Sequence, residues 1–321
     1  MKICVRVPAT TANMGPGFDV FGAALGIYNE FCVEVLKDAK GGNVVLKGEG
    51  RKSLPKTEKN LVWQAMKETF KVLGETKYSF KNLNISINTG IPLSGGLGSS
   101  ASAIVGGISL ANALCKDKLS KSQITELAVK IEGHPDNVAP AVFGGLCVCA
   151  KDEKQTSKDF GQSGQLCAHG EILHLPVPKL KVVLAVPSFE LRTKRSRQIL
   201  PKCVDLDDVV FNASRLSVLT AALCCGDYSL LKIGMQDRVH QPYRGKMIPS
   251  MNEVIQAALD AGAYGAYLSG SGPAIAAFCE NKKAQEVGKA MIKVWKKESV
   301  CAKSFILDFD KKGTIKTDRR E

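Results

Sequence analysis

Residues 92 to 102 read Pro-Leu-Ser-Gly-Gly-Leu-Gly-Ser-Ser-Ala-Ser, and no other stretch restricts the fold as much. Gly95, Gly96 and Gly98 fall within four positions, Ser99 and Ser100 follow, and a run rich in Ala, Ile and Val then reads as a helix over 99–115. Glycines bring backbone N–H groups close to an anion because no Cβ stands in the way. A helix start adds unpaired N–H donors and the positive end of the helix dipole. Pro92, Leu93, Ser94, Gly95, Gly96, Leu97, Gly98, Ser99, Ser100, Ala101 and Ser102 together form a candidate phosphate cradle. It is not a Walker A loop, since no Lys follows the glycines in the required place. The G-x-G-x-x-G spacing of a dinucleotide fingerprint is missing too.

The pattern around the loop predicts a mixed fold. Strands are expected at 3–7, 29–37 and 43–48, a helix at 59–73, and a strand at 82–90 that feeds the glycine loop. Ser120-Lys121-Ser122-Gln123 is a capping box opening a helix with Ile124, Leu127, Ala128 and Ile131 on one face. Residues 151–170 are polar and without period, which marks a surface loop and a boundary between domains 1–165 and 166–321. They contain Asp159-Phe160-Gly161, the protein-kinase magnesium tripeptide, but no catalytic-loop partner precedes it, so it reads as coincidence. Beyond lie a strand at 180–187 and helices near 194–200, 207–225, 227–236 and 250–262. A strand at 263–269 turns into a hairpin partner at 273–279, followed by a helix at 283–297 and a strand near 303–309. Strands and helices without strict alternation indicate an α+β fold in two lobes.

Composition narrows the function classes. Of 321 residues, 45% are hydrophobic and 23% charged, the balance of a globular protein, and no apolar run reaches the ~18 residues of a membrane span. No membrane partner is expected. The start of the chain alternates like a strand and shows neither an apolar signal core nor a transit segment, which leads to a cytoplasmic expectation. Eleven scattered cysteines without C-x-x-C spacing are expected to be reduced, buried thiols. The net charge of +13 is spread along the chain without interleaved aromatic residues, so no nucleic acid partner is expected. The same positive field suits small anionic ligands.

Two further segments join the glycine loop: Pro8-Ala9-Thr10-Thr11-Ala12-Asn13-Met14-Gly15-Pro16-Gly17-Phe18-Asp19, and Leu268-Ser269-Gly270-Ser271-Gly272-Pro273-Ala274. In this order the three resemble the motifs of the GHMP kinase superfamily, which phosphorylates small-molecule hydroxyls. Within it, Glu132-Gly133-His134-Pro135-Asp136-Asn137-Val138-Ala139-Pro140, and Thr193-Lys194-Arg195-Ser196-Arg197 followed by Leu200-Pro201, resemble the homoserine kinase family. The resemblance runs from residue 3 to about residue 280. It implies a ribosomal-protein-S5-like N-terminal domain, a ferredoxin-like C-terminal domain, ATP and Mg²⁺ as cofactors, and L-homoserine as acceptor, with a homodimer as the assembly to test.

The resemblance also implies roles. Ser100 and Glu126, eight residues before His134, correspond to metal ligands, and hard oxygen donors are what Mg²⁺ takes. Homoserine is a zwitterion: Arg197 and Arg244 suit its carboxylate, with Thr193 nearby, while Asp19, Asn13 and Asp136 suit its ammonium, and His134 can add a hydrogen bond. Taken singly, Glu126 off the apolar face of its helix reads as a solvated charge, the arginines as surface groups and Asn13 as a turn residue. Asn137 stands where other members of the superfamily carry an aspartate base. An amide cannot accept a proton at neutral pH. The expected catalytic set is therefore Asn137, Asp136 and Arg197, acting by in-line transfer with the proton leaving on a phosphate oxygen; Asp136 as a base stays open. Two alternatives remain at this point: another kinase of the superfamily with a mevalonate- or shikimate-type acceptor, and a non-catalytic ligand-binding regulator on the same fold. The intact loop with Ser100 and Glu126 speaks against the regulator.

Overall fold

The alternation at the start of the chain runs further than seven residues. In the computed structural model, which describes residues 2–37, 41–48, 54–93, 95–150, 171–191 and 193–317, β1 (Lys2–Asn13) continues through the Pro8–Asn13 segment. It turns into β2 (Gly17–Val35) and pairs with it antiparallel, with register shifts at Pro8/Ala9 and Ala12/Asn13. Proline lacks a ladder donor, so a bulge is where a paired strand tolerates it. β3 (Asn43–Gly48) leads to α1 (Leu61–Val72), whose first turn is capped by Asn60 Oδ1 accepting from Val62 N–H at 3.0 Å. β4 (Leu83–Thr89) lies antiparallel to β2 and parallel to β3. Then come α2 (Ser99–Leu114) and α3 (Lys121–Glu132), the latter opened by the expected capping box between Ser120 and Gln123.

α4 (Pro135–Phe143), β5 (Leu146–Cys149) and β6 (Ile172–Leu175) have no counterpart in the sequence expectations. Every α4 residue from Asp136 to Val142 is buried, so the helix shows no polar face and hence no 3.6-residue period. Phe31, Val33, Ile85 and Ile87 of the sheet pack against Trp63, Met66, Ile104, Ile108 and Leu127 to form the core of the first lobe.

The second lobe begins with β7 (Lys181–Pro187) and α5 (Thr193–Gln198). α6 (Leu206–Cys225), α7 (Leu231–Gly234), α8 (Gln241–Gly245) and α9 (Met251–Asp260) follow. β8 (Gly265–Leu268) and β9 (Ile275–Cys279) make the expected antiparallel hairpin, α10 (Ala284–Lys297) and β10 (Ala302–Leu307) come next, and β11 (Ile315–Lys316) returns to pair with β1. The second sheet has the order β10-β7-β9-β8. Its alternation serves two cores: Val183, Ala185, Ile275 and Ala277 face α9 and α10, whereas Val182, Leu184, Ala276 and Phe278 meet Phe21 and Leu25 of β2 and Leu219 and Leu223 of α6. That second core holds the lobes together.

The α+β, two-lobed expectation holds. The first sheet nonetheless takes β6 and β11 from beyond residue 165. The boundary at 165/166 and Asp159-Phe160-Gly161 lie outside the described residues. Two expectations need correction. Cys4 and Cys32, facing each other across β1 and β2, are joined in a disulfide, and Cys203, Cys224, Cys225 and Cys301 are exposed, so the thiols are not uniformly reduced and buried. α6 spans 20 residues and is apolar enough by length and composition to cross a bilayer, against the reading that no run reaches ~18. Its Leu219, Ala222 and Leu223 are packed in the inter-lobe core, while Leu206 and Val210 are exposed.

Candidate active site

A cavity of about 470 Å³ is lined by residues of both lobes. One wall is the glycine loop. α2 starts at Ser99 with Gly98 as its N-cap at φ +65°, and no side chain caps its first turn. Those N–H groups are left for a ligand. A Cβ on Gly98 would stand 1.9 Å from Thr10 Oγ1, and one on Gly96, at φ +73°, 2.2 Å from the Ser269 carbonyl oxygen. Gly95 has only ordinary contacts around its Cβ position, so two of the three glycines are sterically required. Neighbouring motifs clamp the loop: Thr10 N–H donates to Leu97 O at 3.1 Å, Ala274 N–H to Gly95 O at 3.2 Å, and Ser269 Oγ to Gly96 O at 2.7 Å. Leu93, Gly95, Gly96, Leu97, Gly98, Ser99 and Ser100 reach the cavity. Pro92, Ala101 and Ser102 do not; Ala101 and Ser102 are fully buried, and Ser94 lies outside the described residues.

Ser100 Oγ donates to Glu132 Oε2 at 2.7 Å, a partner the sequence reading overlooked although Glu132 opens one of its motifs. Glu126 does not line the cavity. Its Oε2 is buried without a hydrogen-bond partner, and burial pushes its carboxyl pKa up.

Every expected acceptor residue lines the same cavity. Asn13 (φ +72°) and Asp19 (φ +59°) bracket the β1–β2 turn in left-handed conformations that Asn and Asp tolerate better than most. Asn13 Oδ1 accepts from Asp19 N–H at 3.0 Å, and its Nδ2 donates to Gly270 O at 2.9 Å. Arg197 grips Asp19 bidentately, Nη1 to Oδ2 at 2.9 Å and Nη2 to Oδ1 at 2.7 Å. Burial disfavours the Arg197 charge, but Asp19, with Asp136 and Glu132 adding, outweighs it and the pKa is raised. Arg244 is 1% exposed and donates to Ser196 O at 3.3 Å and Gly270 O at 3.0 Å. Burial, with Arg197 adding, pulls its pKa down to about 10, so it stays charged at neutral pH. Phe18, also overlooked, presents its ring to both guanidinium groups, with centroids 5.5 Å from Arg197 Cζ and 5.1 Å from Arg244 Cζ.

On α4, Asp136 Oδ1 accepts from Asn137 N–H at 2.9 Å and Asn137 Nδ2 at 3.2 Å, and meets His134 Nδ1 at 2.6 Å. Burial opposes the imidazolium, yet Asp136 and Glu132 prevail and the His134 pKa is raised. Thr10 Oγ1 donates to Asn137 Oδ1 at 2.7 Å, which fixes the amide orientation. Thr193 Oγ1 lies 3.3 Å from Ser271 Oγ. Phe31, Leu54, Pro55, Leu61, Val62 and Ile87 add apolar lining from β2, β4, the start of α1 and the segment before it, with Lys59 and Asn60 beside them. The sequence marks none of these residues as a site, because apolar side chains in strands and helices read as core. Apolar side chains, the uncapped start of α2 and a cluster of opposite charges thus line one cavity.

Residues 60–145 match the GHMP kinases N terminal domain and residues 219–297 the GHMP kinases C terminal domain. The chain is similar to the homoserine kinase of Carboxydothermus hydrogenoformans, 43% identical over 289 residues that cover 90% of this chain and 88% of that one. The homoserine kinase of Desulfitobacterium hafniense is 40% identical over 309 residues, covering 96% and 98% of the two chains. The crystal structure of homoserine kinase from Cytophaga hutchinsonii superposes with a TM-score of 0.83 at 31% identity, covering 98% of this chain and 97% of that one. A mevalonate kinase crystal structure, at 15% identity and a TM-score of 0.68, shares the fold. Likeness of this extent across both lobes shows that the chain belongs to the homoserine kinase family, ATP-dependent small-molecule kinases of the GHMP fold.

Proposed function

We propose that the chain transfers the γ-phosphoryl group of ATP to the hydroxyl of L-homoserine, giving O-phospho-L-homoserine in threonine biosynthesis. The reading rests above all on the charges at the acceptor end. Arg197 and Arg244 on one side and Asp19 with Asn13 on the other complement an α-amino acid, whose carboxylate and ammonium sit one carbon apart. The Arg197–Asp19 pair carries the same two charges as that substrate, which exchanges into it by meeting each partner with the opposite sign.

The nucleotide base meets the apolar lining, and its β- and γ-phosphates lie over the first turn of α2. The acceptor hydroxyl is then directed to Asn137. Asn137 is an amide, which takes no proton at neutral pH, and its Oδ1 accepts from Thr10, while Asp136 Oδ1 is engaged by His134 and Asn137. Asn137 orients the hydroxyl and the proton leaves on the transferred phosphoryl group. Ser100 and Glu132 are hard oxygen donors in the cavity that suit Mg²⁺, which when bound would neutralise phosphate charge during transfer, while Glu126 offers an orphaned buried oxygen outside that lining. The cytoplasm, where ATP and amino acids meet, is the matching location.

Mevalonate and shikimate carry a carboxylate but no ammonium, and would bring no cation to take the place of Arg197 beside Asp19. An ATP-consumption assay with Mg-ATP and L-homoserine, mevalonate or shikimate tests the reading. Turnover with mevalonate or shikimate and none with homoserine overturns the substrate; no turnover with any acceptor overturns the kinase.

A further inference from the structure

Arg244 is too deeply buried for water to set its orientation, so protein groups must hold it. We infer that His240, which does not line the cavity, is the positioning residue for Arg244, and that it fixes the spacing between the carboxylate and ammonium halves of the acceptor pocket. The inference rests on Arg244 being the carboxylate ligand.

The His240 ring is fully buried, and both its nitrogens are assigned by their partners. Nδ1 lies 3.3 Å from Arg244 Nη1. A guanidinium only donates, so Nδ1 accepts. The ring proton then sits on Nε2, 2.7 Å from the Gly15 carbonyl oxygen, which only accepts. A neutral ring is what this geometry needs, and burial lowers the His240 pKa, with Asp237 opposing and Arg244 adding. Asp237 Oδ2 lies 3.6 Å from Nε2 but is occupied by the N–H groups of His240 at 2.9 Å and Gln241 at 2.6 Å.

Through these bonds His240 joins two lobes. Gly15 lies in the β1–β2 turn at φ +85°, pressed so close to the segment before His240 that a Cβ would stand 2.2 Å from Met235 O. Gly270 O closes the circuit, accepting both Arg244 Nη1 at 3.0 Å and Asn13 Nδ2 at 2.9 Å. Asn13, Gly270, Arg244, His240 and Gly15 thus form one ring of contacts that returns to the turn where it began. The ring carries a candidate ammonium ligand, Asn13, and a candidate carboxylate ligand, Arg244, both bonded to Gly270 O. His240 also stacks at 5.3 Å on Phe18, whose ring faces both arginines.

Two amide variants separate the nitrogens. His240→Gln keeps a donor near Nε2 and loses the acceptor for Arg244; His240→Asn keeps an acceptor near Nδ1 and loses the reach to Gly15. With L-homoserine, His240→Gln should raise KM roughly tenfold, the scale of one hydrogen bond to a charged group, and leave the KM for Mg-ATP within about twofold. With 3-aminopropan-1-ol, which is homoserine without its carboxylate, the KM should not move. His240→Asn should stay near the parent with homoserine. Arg244→Ala is measured beside them. If Arg244→Ala harms both acceptors equally, the carboxylate reading fails. If Arg244→Ala is selective for homoserine and His240→Gln is not, the positioning role alone fails.

Should either His240 variant not fold, the unaltered protein gives the answer. With ¹⁵N-labelled histidine, the His240 ring, assigned by elimination among the four histidines, should show Nε2–H and an unprotonated Nδ1. Its Nδ1 signal should shift on binding L-homoserine and not on binding 3-aminopropan-1-ol. A ring protonated on Nδ1, or one indifferent to homoserine, overturns the inference.

Discussion

At the phosphate end of the cavity the groups aimed at the ligand are backbone N–H groups of the first turn of α2, shaped by Gly96 and Gly98. At the acceptor end they are side chains, drawn from the β1–β2 turn, α4, α5 and α8. On the proposed function the first device is one short segment that would take any phosphate, whereas the second needs four separate elements and would select one arrangement of charge. Recognition of the phosphates is then local and generic, and choice of acceptor dispersed and specific.

The sharpest way to break that contrast is at Gly98. Gly98→Ala puts a Cβ against Thr10 Oγ1 and forces Ala into φ +65°. Rates should fall by about 10³, the upper range for losing a backbone donor to developing charge, and equally for L-homoserine and 3-aminopropan-1-ol. A loss confined to homoserine would show that the two ends are not independent. Next in size is Arg244→Ala. Its kcat/KM for homoserine should drop by about 3 kcal/mol, some 10²-fold, with little change in ATP affinity by calorimetry. Arg244→Lys should recover only part, because an ammonium lacks the fork of donors.

Glu126→Gln addresses the metal. Turnover should fall roughly 10²-fold with either acceptor, and the Mg²⁺ concentration for half-maximal rate should rise. If Mg²⁺ titrates identically in Glu126→Gln but not in Glu132→Gln, the ligand beside Ser100 is Glu132. The smallest effect concerns His134. Its pKa is raised in the fold, so protonated His134 contributes stability fully below about pH 6.5, and that contribution is lost as pH rises through the folded-state value. His134→Gln removes it. The stability gap between parent and variant, on the order of 1 kcal/mol at pH 6, should shrink by pH 9. A gap that does not vary with pH would remove the charge from the His134–Asp136 contact.

The same contrast explains what could be read in advance. A backbone cradle writes its signature as consecutive glycines, so the loop and the helix after it were visible from spacing alone. Even so, spacing could not tell the crowded Gly96 and Gly98 from Gly95, where a Cβ meets only ordinary contacts, because that depends on Thr10 and Ser269, distant in sequence. The acceptor residues have no common period; only resemblance assembled Asn13, Asp19, His134, Thr193, Arg197 and Arg244. Glu132 and Phe18 escaped notice inside motifs already quoted, since each gains its meaning from a contact with Ser100 or with two arginines from the other lobe. α4 escaped as an element because burial on all sides erased its period.

The pairing of β11 with β1 has a consequence for how the chain comes to be folded. Ile315 and Lys316 complete the outer edge of the strand that leads into the acceptor turn, with Thr317 N–H also donating to Cys4 O at 3.0 Å. During synthesis that edge stays open until almost the whole described chain has left the ribosome. The contact joins segments from near the two ends of the described residues, the kind of non-local pairing that slows folding.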